Sequence, residues 1–295
     1  WDKEIVESKK DVHAVVLNSG IANACTGGEG KEINEYMASQ IAEALGVSTK
    51  EVLTASTGVI GMQIKKEPIQ KGAKLLKDAL ADTKEAGLLA AKAIMTTDTV
   101  PKEAAASFEV DGVTVTVGGM SKGSGMIHPN MATMLSVTTT DAKISHDLLQ
   151  EMVSEIVSDS FNMISVDRDT STNDTYLVLA NGESGVEIKA GTNGYVKFKE
   201  ALSFVATDLA KQMAADGEGA TRLMEVRAVH CKNRIQKYHR HHRPPVLHKN
   251  LPYYTHAFCQ EHRFHLHGFL SLVRQIVYVA KRFSFPHQYH KNSHN

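Results

Sequence analysis

The sequence predicts an α/β fold, because segments with strand character alternate with segments that have the spacing of amphipathic helices. Residues 13–18 form an apolar run typical of a strand, and residues 51–54 form a second one. Between them, residues 31–45 carry apolar side chains four positions apart, which places these side chains on one helical face that can cover a sheet. The apolar positions of this helix are Ile33, Met37, Ile41 and Leu45.

The later elements continue the alternation. Residues 107–118 alternate around Asp111-Gly112, a strong signal for a two-residue β-hairpin. The other predicted helices lie at about 67–81, 84–95, 145–160 and 198–215, and the other predicted strands at 134–140 and 175–180. Pro101 prevents continuation of the helix before it, and Gly217 is predicted to cap the last helix.

Composition favours a soluble globular protein, with 42% hydrophobic and 22% charged residues. No apolar run reaches the roughly 18 residues that a membrane span requires. The first residues have neither an initiator Met nor an apolar h-region, so we interpret the start as that of a fragment without a secretory signal. The odd cysteine count, without a paired CxxC, favours a reducing compartment. The cysteines are Cys25, Cys231 and Cys259.

The charge distribution divides the chain near residue 226. From residue 227 onward there are 12 Lys and Arg against one acid, Glu261, together with 12 of the 15 histidines. The part before this boundary has a net charge of −11. Three hypotheses account for the tail: metal binding by histidines, binding of nucleic acid or anionic lipid, and out-of-frame translation. We favour the third, because a frame error gives a composition unrelated to that of the preceding chain.

Thr133 is the candidate nucleophile. It lies between a stretch rich in glycine and the predicted strand at 134–140. A structural role is the ordinary alternative, because β propensity and hydroxyl turn bonds both favour Thr at strand starts. A threonine hydroxyl needs a base, and one solution is the α-amine of the same residue after the preceding peptide bond has been cut. The small Ala132 and the glycines upstream would permit that cut.

A long motif surrounds this threonine. Residues 121–135 read Ser-Lys-Gly-Ser-Gly-Met-Ile-His-Pro-Asn-Met-Ala-Thr-Met-Leu. The run resembles the self-cleaving junction of the ornithine acetyltransferases, also called bifunctional glutamate N-acetyltransferases. In that family the Ala-Thr bond is hydrolysed autocatalytically and the new N-terminal Thr carries the acetyl group. The resemblance therefore implies cleavage between Ala132 and Thr133, and it covers residues 12–226.

The resemblance also implies an oxyanion site. Residues 19–28 are similar to a small-residue loop that lies next to the active site in the family. Thr57 and Gly58, after the strand at 51–54, match the pair that holds the tetrahedral oxyanion. Backbone N–H groups at a glycine turn, aided by a hydroxyl, can do this physically. Without the resemblance, either stretch is an ordinary turn.

One threonine of the run at 96–99 and one lysine are implied substrate contacts. The Thr-Thr-Asp-Thr run at 96–99 would otherwise cap a helix; by resemblance Thr96 contacts the substrate, with Thr97 as the alternative. Lys122 is not part of a P-loop, because Gly123 follows it where that motif requires Lys-Ser or Lys-Thr. The resemblance makes Lys122 a residue that binds substrate and stabilises charge.

Two acidic stretches complete the motifs. Glu218, in an Asp-Gly-Glu-Gly-Ala-Thr run, is implied to contact the substrate's amine or the leaving nitrogen. The acids of residues 165–174 suggest a metal site, but loop hydrogen bonding accounts for them equally well. The family commonly has Gly where this loop has Arg168. A positive φ at that position would strain the arginine.

The resemblance implies stacked β-sheets between helix layers, an αββα arrangement similar to the N-terminal-nucleophile architecture. It divides the chain into an α-chain part at 1–132, a β-chain part at 133–226 and an atypical basic, His-rich tail at 227–295. The cleaved parts are expected to assemble as two α and two β chains. No nucleic-acid or membrane partner is expected, and the expected location is the cytoplasm, or the mitochondrion in a eukaryote.

The implied activity is ping-pong transfer of acetyl from N-acetylornithine to glutamate, with no metal or organic cofactor. Acetyl-CoA would be a donor if the enzyme is bifunctional. Two alternatives stay open at this point. One is a related self-processing amidase or aminopeptidase that releases its product to water, and the other is an inactive truncated chain.

Overall fold

The computed structural model describes residues 1–127 and 134–225, together with the backbone of a strand at Arg274–Val279. The helices are α1 (Asp2–Glu7), α2 (Gly27–Leu45), α3 (Lys66–Ala79), α4 (Lys84–Ala93), α5 (His146–Asp159) and α6 (Asn193–Ala215). The strands are β1 (Ala14–Ile21), β2 (Val52–Val59), β3 (Lys102–Val110), β4 (Val113–Lys122), β5 (Leu135–Thr140), β6 (Lys143–Ile144), β7 (Thr175–Ala180), β8 (Glu187–Ile188) and β9 (Arg274–Val279).

Two larger sheets form the centre of the fold. The first has the order β2-β1-β9, with β1 and β2 parallel and β9 antiparallel to β1. The second has the order β3-β4-β5-β7, in which β3, β4 and β5 are antiparallel neighbours and β7 runs parallel to β5. Parallel neighbours need a crossover connection, and α2 and α5 provide these connections. A small parallel pair, β6 and β8, lies beside them.

The two sheets stack face to face between helix layers. Val15 and Leu17 of β1 pack with Leu135 of β5 in the cluster between the sheets, whereas Val16 packs with α2 and α3. This division follows from the alternation of side chains along a strand. The other face of the second sheet packs against α5 and α6. The αββα arrangement of stacked sheets flanked by helices is therefore confirmed.

The helix predicted at 31–45 shows why the sequence folds in this way. Ile33, Met37 and Ile41 are all buried on the face of α2 that covers the first sheet. Gly46 ends the helix in the left-handed conformation, at φ 71°, and its N–H bonds the Ala42 carbonyl at 2.8 Å. The hairpin predicted at Asp111-Gly112 joins β3 to β4.

Two local predictions were wrong. Thr57 and Gly58 do not follow β2 in a turn but lie within it, because β2 pairs residue by residue with β1 as far as Val59. Gly217 does not cap α6 in a left-handed conformation. It is buried, and a Cβ there would come within 2.8 Å of the Val166 side chain, so close packing requires the glycine.

The tail hypotheses concern residues outside the described part of the chain, apart from the backbone of β9. Among the described helices, none is both long enough and apolar enough to cross a membrane.

Candidate active site

The predicted cleavage bond, Ala132-Thr133, belongs to residues 128–133, which lie outside the described residues. Both flanks of this junction segment are described. β4 ends at Lys122 and β5 begins at Leu135, and these two residues are partners in the antiparallel ladder. The chain therefore leaves the second sheet at the end of β4 and re-enters it beside that point, at the start of β5. This pairing fixes where the junction segment begins and ends.

Lys122 lies buried at the end of β4, with 2% of its surface exposed. Its Nζ lies 3.9 Å from Asp98 Oδ2. Burial lowers the pKa of Lys122, and the charges of Asp98, Glu218 and Asp174 oppose that shift. The ammonium group thus interacts electrostatically with acids that come from three distant parts of the chain. Such a group can hold a carboxylate or a developing negative charge.

Asp98 organises the turn that follows Lys122. Its Oδ1 accepts the Gly123 N–H at 2.6 Å and the Lys102 ammonium at 2.7 Å. Lys102 is completely buried and also bonds Asp216 Oδ2 at 2.6 Å. Burial alone would raise the pKa of Asp98, but Lys122, Lys102 and the Gly123 N–H together hold it below its usual value. A buried network of charges therefore holds the residues that directly follow Lys122.

Glu218 contacts this loop directly. Its backbone N–H donates to the Ser124 carbonyl at 2.7 Å. Its carboxylate lies so close to Gly125 that a Cβ added there would be 2.5 Å from Oε2. The structure thus brings Glu218 beside the residues that follow Lys122.

Thr96 and Thr97 differ in their contacts. The Thr97 hydroxyl lies 2.7 Å from the Ser124 hydroxyl, within hydrogen-bonding distance. Thr96 bonds Asp98 Oδ2 through its backbone N–H at 3.1 Å. The Thr97 side chain therefore contacts the residues after Lys122, whereas the contact of Thr96 comes from its backbone.

The acidic loop at 165–174 holds both flanks of the junction segment. Asp167 Oδ1 accepts the Ile127 N–H at 2.8 Å, and the other carboxylate oxygen accepts the Met126 N–H. Asp174 Oδ1 accepts the Met134 N–H at 3.1 Å. Burial raises the pKa of Asp174 to about 7, against the opposing effects of the Met134 N–H and Lys122. These acids bind backbone N–H groups, as the hydrogen-bonding interpretation expects.

Arg168, in the same loop, has a φ of 70°. The position thus adopts the left-handed conformation that glycine tolerates best, which is the condition under which strain was expected. Within residues 1–127 and 134–225, no group of three or more His, Cys, Asp or Glu side chains is arranged to hold a metal ion.

Thr57 and Gly58 lie at the end of β2, in the first sheet. Gly58 has a φ of 130° and faces Gly20, whose φ is 116°. A Cβ at Gly58 would stand 2.2 Å from the Gly20 carbonyl carbon, so the strands approach this closely only without a side chain. No hydrogen bond or ion pair among the described residues joins Thr57 or Gly58 to Lys122 or Glu218.

A cavity of about 730 Å³ is lined by residues of the first sheet and of the acidic loop at 165–174. Its walls include Ser56, which precedes Thr57 in β2, and Asp174, which bonds the residue after Thr133. Asn23 and Cys25, from the small-residue loop after β1, line it as well. The predicted oxyanion strand and the downstream flank of the junction therefore face one common space.

Sequence reasoning missed the residues that hold the site in place. Asp98 and Asp216 were visible only as members of the Thr-Thr-Asp-Thr and Asp-Gly-Glu-Gly runs, where capping explained them. Lys102 was not noticed, because its neighbour Asp98 was explained as a cap and its other partner, Asp216, is 114 residues away. Asp167 and Asp174 were noticed as a cluster, but their partners were not predicted.

Comparison with known proteins agrees with the motifs. The sequence model of the ArgJ family matches residues 1–239, a longer span than the 12–226 that the motifs indicated. The chain is 53% identical over 218 residues to the arginine biosynthesis bifunctional protein ArgJ of Symbiobacterium thermophilum, which covers 74% of this chain and 54% of that protein. It is 46% identical over 236 residues to the chloroplastic arginine biosynthesis bifunctional protein ArgJ of Oryza sativa subsp. indica, with coverage of 79% and 51%.

A crystal structure of the arginine biosynthesis bifunctional protein argJ from Bacillus halodurans has 41% sequence identity and a TM-score of 0.41. It covers 44% of this chain and 67% of that chain. This chain spans about half the length of the curated relatives that it matches. Because the family model matches most of its residues, the chain belongs to the ArgJ family.

Proposed function

We propose that this chain carries the site of a self-cleaving acetyltransferase that moves acetyl from N-acetylornithine to glutamate in arginine biosynthesis. Family membership and the junction motif support the proposal. The observation that carries it is the meeting of Lys122, Glu218 and Asp174, distant in sequence, around the flanks of the segment that contains Thr133.

Self-cleavage would begin with attack of the Thr133 hydroxyl oxygen on the Ala132 carbonyl carbon. The C–N bond breaks as the C–O bond forms, and the hydroxyl proton passes to the nitrogen, so the amide becomes an ester with a free α-amine. Water then hydrolyses the ester, which leaves a carboxylate on Ala132 and restores the hydroxyl of Thr133. The products are an α chain that ends at Ala132 and a β chain that begins at Thr133.

Acetyl transfer would use the new amine as the base. It takes the proton of the Thr133 hydroxyl as the oxygen attacks the acetyl carbonyl of N-acetylornithine, and the proton then goes to the departing nitrogen. Thr57 and Gly58 stabilise the oxyanion, while Thr96, Lys122 and Glu218 bind the substrate. Ornithine leaves, and the amine of glutamate attacks the acetyl ester to give N-acetylglutamate. If the protein is bifunctional, acetyl-CoA is a second donor.

The second sheet supports the assembly of the cleaved parts. β4 belongs to the α-chain part and β5 to the β-chain part, and the two strands pair over six residue pairs, from Val117 opposite Thr140 to Lys122 opposite Leu135. This ladder would hold the two chains together after the junction is cut. We propose that the cleaved unit assembles further as two α and two β chains.

The test combines a denaturing gel with an acetyl-exchange assay on the native chain and Thr133→Ala. We expect the native chain to give two bands split before Thr133 and to consume N-acetylornithine only when glutamate is added. Thr133→Ala should give one band and no exchange. Loss of N-acetylornithine to water without glutamate would instead favour an amidase, and exchange by an uncut chain would contradict the mechanism.

A further inference from the structure

The loop at 165–174 holds the junction segment at two points with matched spacing. Asp167 bonds the Ile127 N–H, and Asp174, seven residues later, bonds the Met134 N–H, which is also seven residues later. Residues 128–133 lie between these two anchors. One loop thus determines how far apart the two flanks of the junction stand.

Each anchor is doubled by a backbone hydrogen bond. The Val166 N–H donates to the Ile127 carbonyl at 2.8 Å, and the Thr175 N–H donates to the Met134 carbonyl at 2.9 Å. The loop and the first residue of β7, Thr175, therefore hold both backbone hydrogen-bonding groups of Ile127 and of Met134. Two bonds at each end fix the orientation of the peptide groups as well as their position.

We propose that Asp167 and Asp174 form a clamp that positions the Ala132-Thr133 bond for self-cleavage, a role that rests on the function proposed above. Asp174 is the more important of the two, because it holds the residue directly after the nucleophile. The clamp makes and breaks no covalent bond. It acts by orienting the peptide that the Thr133 hydroxyl attacks, and small displacements of a reacting group reduce rates strongly.

Ionisation of the Asp174 carboxyl is unfavourable in the folded protein. Burial raises the pKa of this carboxyl to about 7, so ionisation near neutral pH is unfavourable compared with an exposed acid. The charged group that opposes this shift is Lys122, at the end of β4. The cavity that Asp174 lines also contains the ionisable side chains of Asp2, Glu4, Cys25, Lys31, Glu35 and Lys50. A carboxylate accepts the Met134 N–H more strongly than a neutral amide does, which gives the charge a use in holding the junction.

A positioning role and a purely structural role of Asp174 predict different effects on stability. Asp174→Asn removes a charge that burial penalises, so the folded protein should be at least as stable as the native chain at pH 8. Cleavage should nevertheless slow by about tenfold, the size expected for loss of a charge-assisted hydrogen bond. A residue that only supported the fold would lose stability and cleavage together.

The first experiment follows cleavage of pulse-labelled chains made by cell-free translation, between pH 5.5 and 8.5. We expect the native rate to rise as Asp174 ionises around pH 7, and Asp174→Asn to be slower with that rise removed. Asp167→Asn should also slow cleavage. Asp169→Asn is the matched control, since this exposed acid lies in the same loop and only its backbone N–H bonds Asp167, at 3.1 Å. Native cleavage rates in Asp174→Asn would overturn the clamp.

The second experiment does not depend on cleavage. Hydrogen exchange is measured in a Thr133→Ala chain, with and without Asp174→Asn or Asp167→Asn. We expect Asp174→Asn to speed exchange at Met134 and Asp167→Asn to speed it at Ile127, with α6 unchanged in both. If these exchange rates do not change, the clamp is wrong, whether or not the native chain cleaves. If they change but the native chain never cleaves, the clamp stands and the proposed function fails.

Asp167→Asn also covers the case in which Asp174→Asn does not fold. Asp167 is exposed, so its replacement removes little buried surface. Folding of Asp167→Asn with native cleavage and unchanged exchange at Ile127 would then overturn the clamp.

Discussion

The two sheets hold their predicted site residues by different means. In the first sheet, Thr57 and Gly58 are placed by backbone shape, since Gly58 and Gly20 approach more closely than any side chain would allow. In the second sheet, Lys122 and the loop after it are placed by charge. Lys102 joins Asp98 to Asp216 through ion pairs whose side chains are at most 6% exposed.

This difference determines what each sheet tolerates. A backbone contact between glycines fails when one atom is added, but it does not depend on pH or on distant residues. A buried charge network links segments more than 100 residues apart, and it fails when any partner is removed, because the remaining charges are left buried without compensation. The strand β2 should therefore be sensitive to added volume, and the network around Lys122 to changes in charge.

The largest expected effect is that of Lys102→Met. The substitution keeps most of the side-chain volume but leaves Asp98 and Asp216 without the ammonium group that they share. We expect a loss of about 3–5 kcal/mol in the free energy of unfolding, measured by urea denaturation. Lys3→Met is the control, because the Lys3 and Glu7 side chains are 86% and 66% exposed and should contribute less than about 1 kcal/mol. Equal losses in the two variants would remove the distinction between the sheets.

The second effect tests the glycine contact. Gly58→Ala and Gly61→Ala both place alanine at a positive φ, 130° and 82°, but only Gly58 has atoms within 4 Å of the added Cβ. We expect Gly61→Ala to lose about 1 kcal/mol from backbone strain. Gly58→Ala should lose about 1–3 kcal/mol more, because β1 and β2 must move apart. Urea unfolding of the two variants measures the difference. Similar free energies of unfolding would show that β1 can move away from Gly58 without loss of stability.

The same difference explains how much the sequence could reveal. The elements follow from local patterns, such as the spacing of Ile33, Met37 and Ile41 on α2, whereas the αββα layering was implied by the family resemblance. The motifs also singled out Lys122 and Glu218, and the structure places Glu218 against Ser124 and Gly125, which follow Lys122. Residue spacing could not predict that Thr57 and Gly58 lie inside a strand, because this depends on which strand lies beside β2.

The charge network was hidden for a related reason. Asp98 had a complete local explanation as a helix cap, and only the tertiary structure shows that it bonds Lys102 and the Gly123 N–H. A buried lysine is rare on its own, because desolvation must be offset by partners. Asp98, four residues before Lys102, was already explained as a cap, and Asp216 cannot be identified as a partner in one sequence because it is 114 residues away.

The third effect concerns pH and comes from Asp174. Its folded-state pKa of about 7 lies above the ordinary value of 3.8, so the folded chain holds a proton between these values that the unfolded chain has released. The resulting stability is complete below about pH 4 and is lost as pH rises through 7. In the native chain the free energy of unfolding should therefore fall between pH 4 and pH 8. With allowance for partial exposure, we expect this fall to be about 2 kcal/mol smaller in Asp174→Asn. Urea unfolding across this range tests it, and identical pH profiles would contradict the raised pKa.

The smallest effect separates Thr96 from Thr97. Thr97→Val removes the hydroxyl that lies 2.7 Å from Ser124, and we expect a loss of about 1 kcal/mol in stability with little change in KM for N-acetylornithine. Thr96→Val keeps the backbone bond to Asp98, so stability should be unchanged. If Thr96 contacts the substrate, that variant should instead raise KM about fivefold, the equivalent of one neutral hydrogen bond. The reverse pattern, with KM raised by Thr97→Val alone, would assign the contact to Thr97 and make its bond to Ser124 one that the substrate replaces.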